Sequence, residues 1–251
     1  MIEEVKKMEV IGLKIPIIKE PLGLDYLINL ILQYPLKDKD IIVIAETIIS
    51  KLEGNIINKN NIVPSKKAEQ LAEKLDKCPK VMEVILNESN EIVKIGDKFI
   101  ITETKHGFVC ANSGVDESNS NNFIKPLPKD PDFSAKYIKD KIIEKKRFKN
   151  IGVIINDSLG RPFRNGSCGV AIGVSGITAL WNRKGEKDLF GRELITTEVG
   201  IADELASAAS VVMGQCNEGI PLVIIRNAPV PFTNGIGKDL IRNKKEDVFR
   251  D

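Results

Sequence analysis

Three short runs of this chain, residues 41–45, 151–155 and 222–225, are apolar at almost every position. A strand with one face in water alternates apolar and polar residues, so uninterrupted runs of this length predict strands covered on both faces. Helical spacing appears between them. Leu24, Leu27, Ile28 and Ile31 repeat at helical intervals before Pro35, and Ala68, Leu71, Ala72 and Leu75 do so behind Ser65, a capping residue. Pro79 starts a further predicted helix ending near Leu86, and residues 134–146 predict an amphipathic helix whose many lysines face solvent. Residues 10–18 read as a strand broken by Gly12 and Pro16. The β-rich segments 91–95 and 98–104 flank Gly96-Asp97 and predict a hairpin, with a short strand at 108–111 behind it. The proline-rich piece 126–131 reads as a rigid connector. Residues 197–212 predict a long helix whose Ala202, Ala206 and Ala209 permit close packing, and the tail from Asn234 reads as polar and peripheral.

Polar groups gather behind the strands. The run at 151–155 passes into Asn156-Asp157-Ser158-Leu-Gly160-Arg161-Pro-Phe-Arg164. A carboxylate and a hydroxyl at a strand's carboxyl end suit a hard divalent cation, and Arg161 and Arg164 suit phosphate oxygens. The same residues read equally as an Asx-type turn with surface arginines. Residues 41–45 run into Glu46-Thr47-Ile-Ile-Ser50-Lys51, and the strand at 108–111 into Asn112-Ser-Gly114-Val-Asp116-Glu117-Ser-Asn119, whose carboxylates would complete an oxygen cage begun by Asp157. Read alone, each is also an ordinary solvated loop.

Composition narrows the function classes. Lys plus Arg number 37 against 35 for Asp plus Glu, a net charge of +2 over 251 residues, which lacks the one-sided field of a nucleic-acid binder. The four cysteines form no C-x-x-C pair, which argues against a zinc ribbon and fits a reducing cytoplasm. No run has the apolar length of a membrane span, and the charged start is unlike a signal peptide. His106 is the single histidine, so a serine triad or a histidine zinc site would have to be built around this one side chain, which argues against both. There is no G-x-x-x-x-G-K-[ST] loop, and Gly169, Gly173 and Gly176 do not match the dinucleotide fingerprint. Close backbone packing, within the chain or against another subunit, explains those glycines better.

Six ordered blocks carry a family resemblance: Ile-Ser50-Lys51-Leu-Glu-Gly54; Asn112-Ser-Gly114-Val-Asp116-Glu-Ser-Asn119; Ile-Ile-Asn-Asp157-Ser158-Leu-Gly160-Arg161-Pro-Phe-Arg164; Lys187-Asp-Leu-Phe-Gly191-Arg192-Glu193-Leu; Ala202-Asp203-Glu204; and Met213-Gly214-Gln215 with Gly219-Ile-Pro221. Spanning about residues 10–226, they resemble the coenzyme F-420:L-glutamate ligases, which add glutamates to a deazaflavin cofactor. The resemblance implies a mixed α/β (α+β) fold of an unusual kind, mixed β-sheets with packed helices, in an intertwined homodimer. It implies one module over residues 1–251, in a single lobe or in two with the nucleotide and metal site between them. The implied partners are GTP, L-glutamate and the deazaflavin precursor, with no nucleic acid or membrane. The implied cofactors are one or two magnesium or manganese ions, with potassium as an optional monovalent cation. By position, Asp116 and Asp157 resemble metal-binding aspartates. Ser158 stands where the family often has a metal-binding threonine, and Gln215 stands where a carboxylate can occur. Gly12, Leu13, Glu46, Thr47, Ser50, Lys51, Asn119, Met213, Gly214, Cys216, Asn217, Gly219 and Ile220 resemble the GTP-contacting pieces, although Glu46 replaces a small hydroxyl residue and Lys14-Ile15 is inserted. Asp157, Arg161 and Arg164 are the expected catalytic groups. A sister ligase with another acid and amine, or a non-catalytic nucleotide-binding relative, is the alternative.

Overall fold

Strand β1 (Glu9–Leu13) leads through helix α1 (Leu24–Ile31) to β2 (Ile41–Ala45), which passes without a loop into α2 (Glu46–Leu52). Next come β3 (Ile57–Asn58), α3 (Lys66–Leu75), α4 (Pro79–Asn87), β4 (Ser89–Ile95), β5 (Ile100–Thr104), β6 (Val109–Ala111), β7 (Phe123–Ile124) and α5 (Pro131–Lys146). The long hairpin β8 (Gly152–Arg161) and β9 (Arg164–Ser175), the two-residue β10 (Trp181–Asn182) and β11 (Glu198–Val199), α6 (Ile201–Met213) and β12 (Leu222–Arg226) complete the order. These elements come from a computed structural model that describes residues 7–117 and 122–250.

The three apolar runs become neighbours in a five-stranded sheet of order β1-β12-β2-β8-β9. Only β2 and β8 run parallel in it; the other pairs are antiparallel. Period-two alternation sends Ile42, Ile44, Val153, Ile155 and Ile224 toward α1, α2 and α5, and sends Ile41, Val43, Ile154, Val223 and Ile225 toward α6. Both faces are thereby buried, which is why these strands read as continuous apolar runs. The protein is a mixed α/β fold.

The glycines of β9 allow this layering inside the chain. A Cβ on Gly169 would lie 2.2 Å from Ser210 Oγ and 2.4 Å from the Ala206 carbonyl oxygen of α6, and one on Gly173 would lie 2.4 Å from the Pro131 carbonyl oxygen of α5. Ala202, Ala206 and Ala209 are buried against the same sheet. The small residues therefore serve intrachain packing.

A second core, around Ala72, Leu75, Met82, Ile85, Ile100 and Ile124, packs α3 and α4 on the antiparallel sheet β4-β5-β6. Ser65 caps α3, its hydroxyl accepting the Ala68 N–H at 3.2 Å. Helix α5 starts earlier than its periodicity implies. Asp130 accepts the Phe133 N–H at 2.9 Å and Pro131 is the first helical residue, so the connector's end is a cap. Conversely, residues 197–200 do not join α6: β11 pairs with β10 there, and β-branched Thr197 and Val199 suit an extended ribbon.

Two further expectations are corrected. The tail is a tie rather than a periphery. Gly237 N–H donates to Asp132 Oδ1 at 2.6 Å, while Lys244 and Arg250 pair with buried Glu103 at 2.7 and 2.9 Å. The strand carrying Asp157 also does not stop there. It continues to Arg161 and turns at Phe163, so the chain that ends beside Asn156 is the neighbour β2, at Ala45.

Candidate active-site cleft

Where β2 stops, a cleft of about 900 Å³ opens. Its floor is Ala45 and the first residues of α2, and Asn156, Asp157 and Ser158 pass along one side on the strand that outruns its partner. The carboxyl end of α6 and the loop to β12 supply Met213, Gly214, Gln215, Cys216 and Asn217. The segment after β1 covers another side with Ile15 and Ile18, and the second core contributes Asp116, Phe123 and Lys125. Strand ends in a sheet with crossover helices leave such crevices because helices diverge from the sheet there.

Charge is concentrated in it. Burial pushes the Asp157 carboxyl up to about 8, and the nearby Glu46 and then Asp116 add to the rise, against the pull of the Ser158 N–H at 2.6 Å. Glu46 is raised by burial too, opposed by the Thr47 hydroxyl that donates to it at 2.5 Å. Burial lowers Lys51, and neighbouring Lys125 lowers it further, while Glu46 and Asp116 act the other way. Lys125 is 3% exposed and its Nζ lies 2.9 Å from Asp116 Oδ2. With Glu20, Glu218 and Lys19 at its margins, five carboxylates thus share the cleft with three ammonium groups.

Among the described residues no three His, Cys, Asp or Glu side chains form a ready metal cage. The donor chemistry nevertheless fits a hard divalent cation. Asp116 and Asp157 supply carboxylate oxygens, and Ser158 Oγ and the Gln215 amide adjoin each other, with Gln215 Nε2 donating to Ser158 Oγ at 2.9 Å. The raised Asp157 value comes first from burial and then from the neighbouring carboxylates Glu46 and Asp116, whose repulsion a bound cation would offset. Asn156 Oδ1, at the cleft wall, is buried with no hydrogen-bond donor among the described residues. The residues that would hold the ion are Asp116 and Asp157, with Ser158 and Gln215 next to them.

The structure gathers many of the residues singled out from the sequence. Glu46, Thr47, Lys51, Asp116, Asp157, Ser158, Met213, Gly214, Gln215, Cys216, Asn217, Gly219 and Ile220 all line the cleft. Others lie elsewhere. Ser50 is buried, its hydroxyl donating to the Pro126 carbonyl at 2.9 Å. Gly12 packs behind the wall, where a Cβ would meet Val212 and Ile220 at 2.7 and 2.8 Å, and Leu13 sits in the β1–β12 ladder without lining the cleft. Arg161 and Arg164 pair with each other at the exposed tip of the β8–β9 hairpin, away from Asp157. Asn119 lies outside the described residues. His106 binds the Lys129 carbonyl at 3.1 Å, outside the cleft. Sequence reasoning missed Lys125, although a lone cation within Phe123-Ile-Lys125-Pro-Leu is a signal, since an apolar run tolerates a charge only beside a partner.

Fold and cleft together describe a mixed α/β protein with a ligand-sized, charged cleft. The family model described as F420-0:gamma-glutamyl ligase matches residues 12–227, and the chain belongs to that family. It is 70% identical over 251 residues to the coenzyme F420:L-glutamate ligase of Methanococcus maripaludis, covering the whole of both chains. To the protein of that name from Methanocaldococcus jannaschii it is 67% identical over 252 residues, again covering both in full. The corresponding ligase of Archaeoglobus fulgidus is 38% identical over 238 residues, 94% of this chain and 93% of that protein. The six blocks read in the sequence point to the same family.

Proposed function

We propose that this protein joins L-glutamate to the deazaflavin precursor of coenzyme F420, first through an amide bond and then through a γ-linkage, driven by GTP. The observation that carries the reading is the convergence of Glu46, Lys51, Asp116, Lys125 and Asp157 on one cleft in a chain of this family. The terminal carboxylate of the precursor attacks the γ-phosphorus of GTP, GDP departs with the bridging oxygen, and the amino nitrogen of L-glutamate then displaces phosphate from the acyl phosphate, losing a proton. A carboxylate and a triphosphate repel each other, so the step needs cations rather than an activated nucleophilic side chain. A divalent ion, or two, supplies Lewis acidity at the phosphate oxygens when bound. Lys51 and Lys125 offset the substrate charges, Asp116 and Asp157 hold the ion, and the loop from Met213 to Ile220 lies along the nucleotide. Potassium is an optional addition. In this reading the reaction runs in the cytoplasm, where the four free cysteines stay reduced. No helix among the described residues is long and apolar enough to cross a membrane.

With the glutamate-free precursor, L-glutamate, GTP and magnesium or manganese, GDP and phosphate are expected in step with a product heavier by one glutamate residue and then by a second. Chelation is expected to stop both. GTP hydrolysis that runs equally without the precursor, with no glutamylated product by mass spectrometry, would overturn the assignment. The reading keeps a homodimer, supported by Phe163 at 92%, Leu189 at 100% and Phe190 at 96% exposure on protruding loops. Light scattering is expected to give about 56 kDa, twice the 27.8 kDa chain; a monomer at micromolar concentration would remove the dimer.

A further inference from the structure

A divalent cation arriving at Asp116 meets an ammonium group already in place. Lys125 Nζ lies 2.9 Å from Asp116 Oδ2. Reciprocal backbone hydrogen bonds, Asp116 N–H to the Lys125 carbonyl at 3.0 Å and Lys125 N–H to the Asp116 carbonyl at 2.9 Å, hold the two residues opposite each other. The pairing is therefore built by the backbone and does not depend on two flexible chains finding each other. Lys125 is 3% exposed but the Asp116 side chain is 42% exposed. The lysine stem thus runs beneath the cleft surface, and its charge emerges at a carboxylate on the open wall. A lysine serving only as an internal bolt would instead have its carboxylate buried with it, as Arg226 has Asp40.

The charge balance gives this arrangement a use. Counted formally, Glu20, Glu46, Asp116, Asp157 and Glu218 against Lys19, Lys51 and Lys125 leave the cleft lining at −2, and one divalent cation makes it neutral. We propose, resting on the ligase reading, that Lys125 is a further binding residue of the reaction. Its ammonium holds Asp116 while the cleft is without metal, and turns to an oxygen of the transferring phosphoryl group once a cation claims that carboxylate. An ammonium already stripped of most of its water meets the anion with little further dehydration, which is how a preorganised site stabilises developing charge. A compact charge on a four-carbon stem can make the turn without backbone movement, which the bridge to Asp116 would resist.

The test compares Lys125→Met and Lys125→Arg with the wild-type protein in two measurements. The first is manganese binding to the nucleotide-free protein, followed by the paramagnetic resonance of the free ion. Without a competing ammonium, Lys125→Met is expected to bind manganese roughly fivefold tighter, and Lys125→Arg to stay near the wild type. The second is ligation at saturating metal. There Lys125→Met is expected to lose roughly a hundredfold in kcat with a much smaller change in KM for GTP, and Lys125→Arg to recover part of the loss. Weaker manganese binding by Lys125→Met, or an unchanged kcat, overturns the proposal. Circular dichroism checks the fold, and should Lys125→Met not fold, Lys125→Gln carries the same comparisons. A wild-type protein that binds manganese yet forms no glutamylated product would sink the ligase reading alone, and the manganese comparison would still decide whether Lys125 contests Asp116.

Discussion

Replacing Asp157 with asparagine is expected to abolish turnover and, at the same time, to stabilise the metal-free protein above neutral pH. The loss of turnover follows from the role of a carboxylate in holding the ion and should reach about a thousandfold or more. The stability effect follows from the position of the group. Its folded pKa of about 8 stands far above the ordinary 3.8, so between those values the folded chain holds a proton that the unfolded chain has released. The contribution of Asp157 to the stability of the metal-free wild type therefore falls as pH rises from about 4 to about 8. Asparagine removes that slope and also relieves Glu46, leaving the variant more stable at pH 8 by something on the order of 3 kcal/mol. Urea denaturation with chelator present, at pH 5 and at pH 8, measures the difference. Identical pH slopes in the two proteins, or wild-type turnover in the variant, would remove Asp157 from this role. A bound divalent ion reverses the sign, because it favours the ionised carboxylate. Its apparent affinity should climb with pH up to about 8, by tenfold per unit at most, with a proton released on binding.

At the far end of β2 the expected effect is on stability alone. Asp40 is 1% exposed and accepts from Arg226 Nε at 2.8 Å, from Arg226 Nη2 at 2.7 Å and from the Lys37 N–H at 2.8 Å. Its hydrogen bonds to Asp40 hold the Arg226 guanidinium well above its usual range. The pair bolts the start of β2 to the end of β12, two adjacent central strands. Asp40→Ala strands a guanidinium that is 11% exposed, and breaking such a pair from one side costs about 3–5 kcal/mol, or roughly 10 °C in Tm for a chain of this size. The double variant Asp40→Ala with Arg226→Leu should recover a large part of the loss, since it leaves no unpaired charge. Folded Asp40→Ala protein should keep its kcat, because the cleft lies at the opposite end of both strands. A loss below about 1 kcal/mol would show the pair to be solvated and unimportant.

The layered core was legible in the sequence because burial leaves a local mark. Residues 41–45, 151–155 and 222–225 are apolar throughout because both faces of their strands are covered, and Ser65 before α3 announces its cap within three residues. Every such signal is written within one turn or one strand of the residue it describes. Two boundaries failed for the same reason. Residues 197–200 adjoin the apolar run of α6, yet their pairing with β10 lies across the chain, and α5 begins at Pro131 because Asp130 caps it from within a segment read as connector.

The family blocks named residues but not their places. Glu46 and Asp157 come together because β2 and β8 run side by side and because β2 ends opposite Asn156, and the second core brings Asp116 to them. Arg161 and Arg164, adjacent to Asp157 in sequence, are carried away from it because β8 continues past its partner as a hairpin. Lys125 enters the cleft only through its backbone bridge to Asp116. The sequence by itself determined the buried strands of the central sheet, the helices with a periodic apolar face and the family the chain belongs to. The tertiary structure decided which charges meet, because strand register and strand ends are set by contacts between distant segments, and no local periodicity records them.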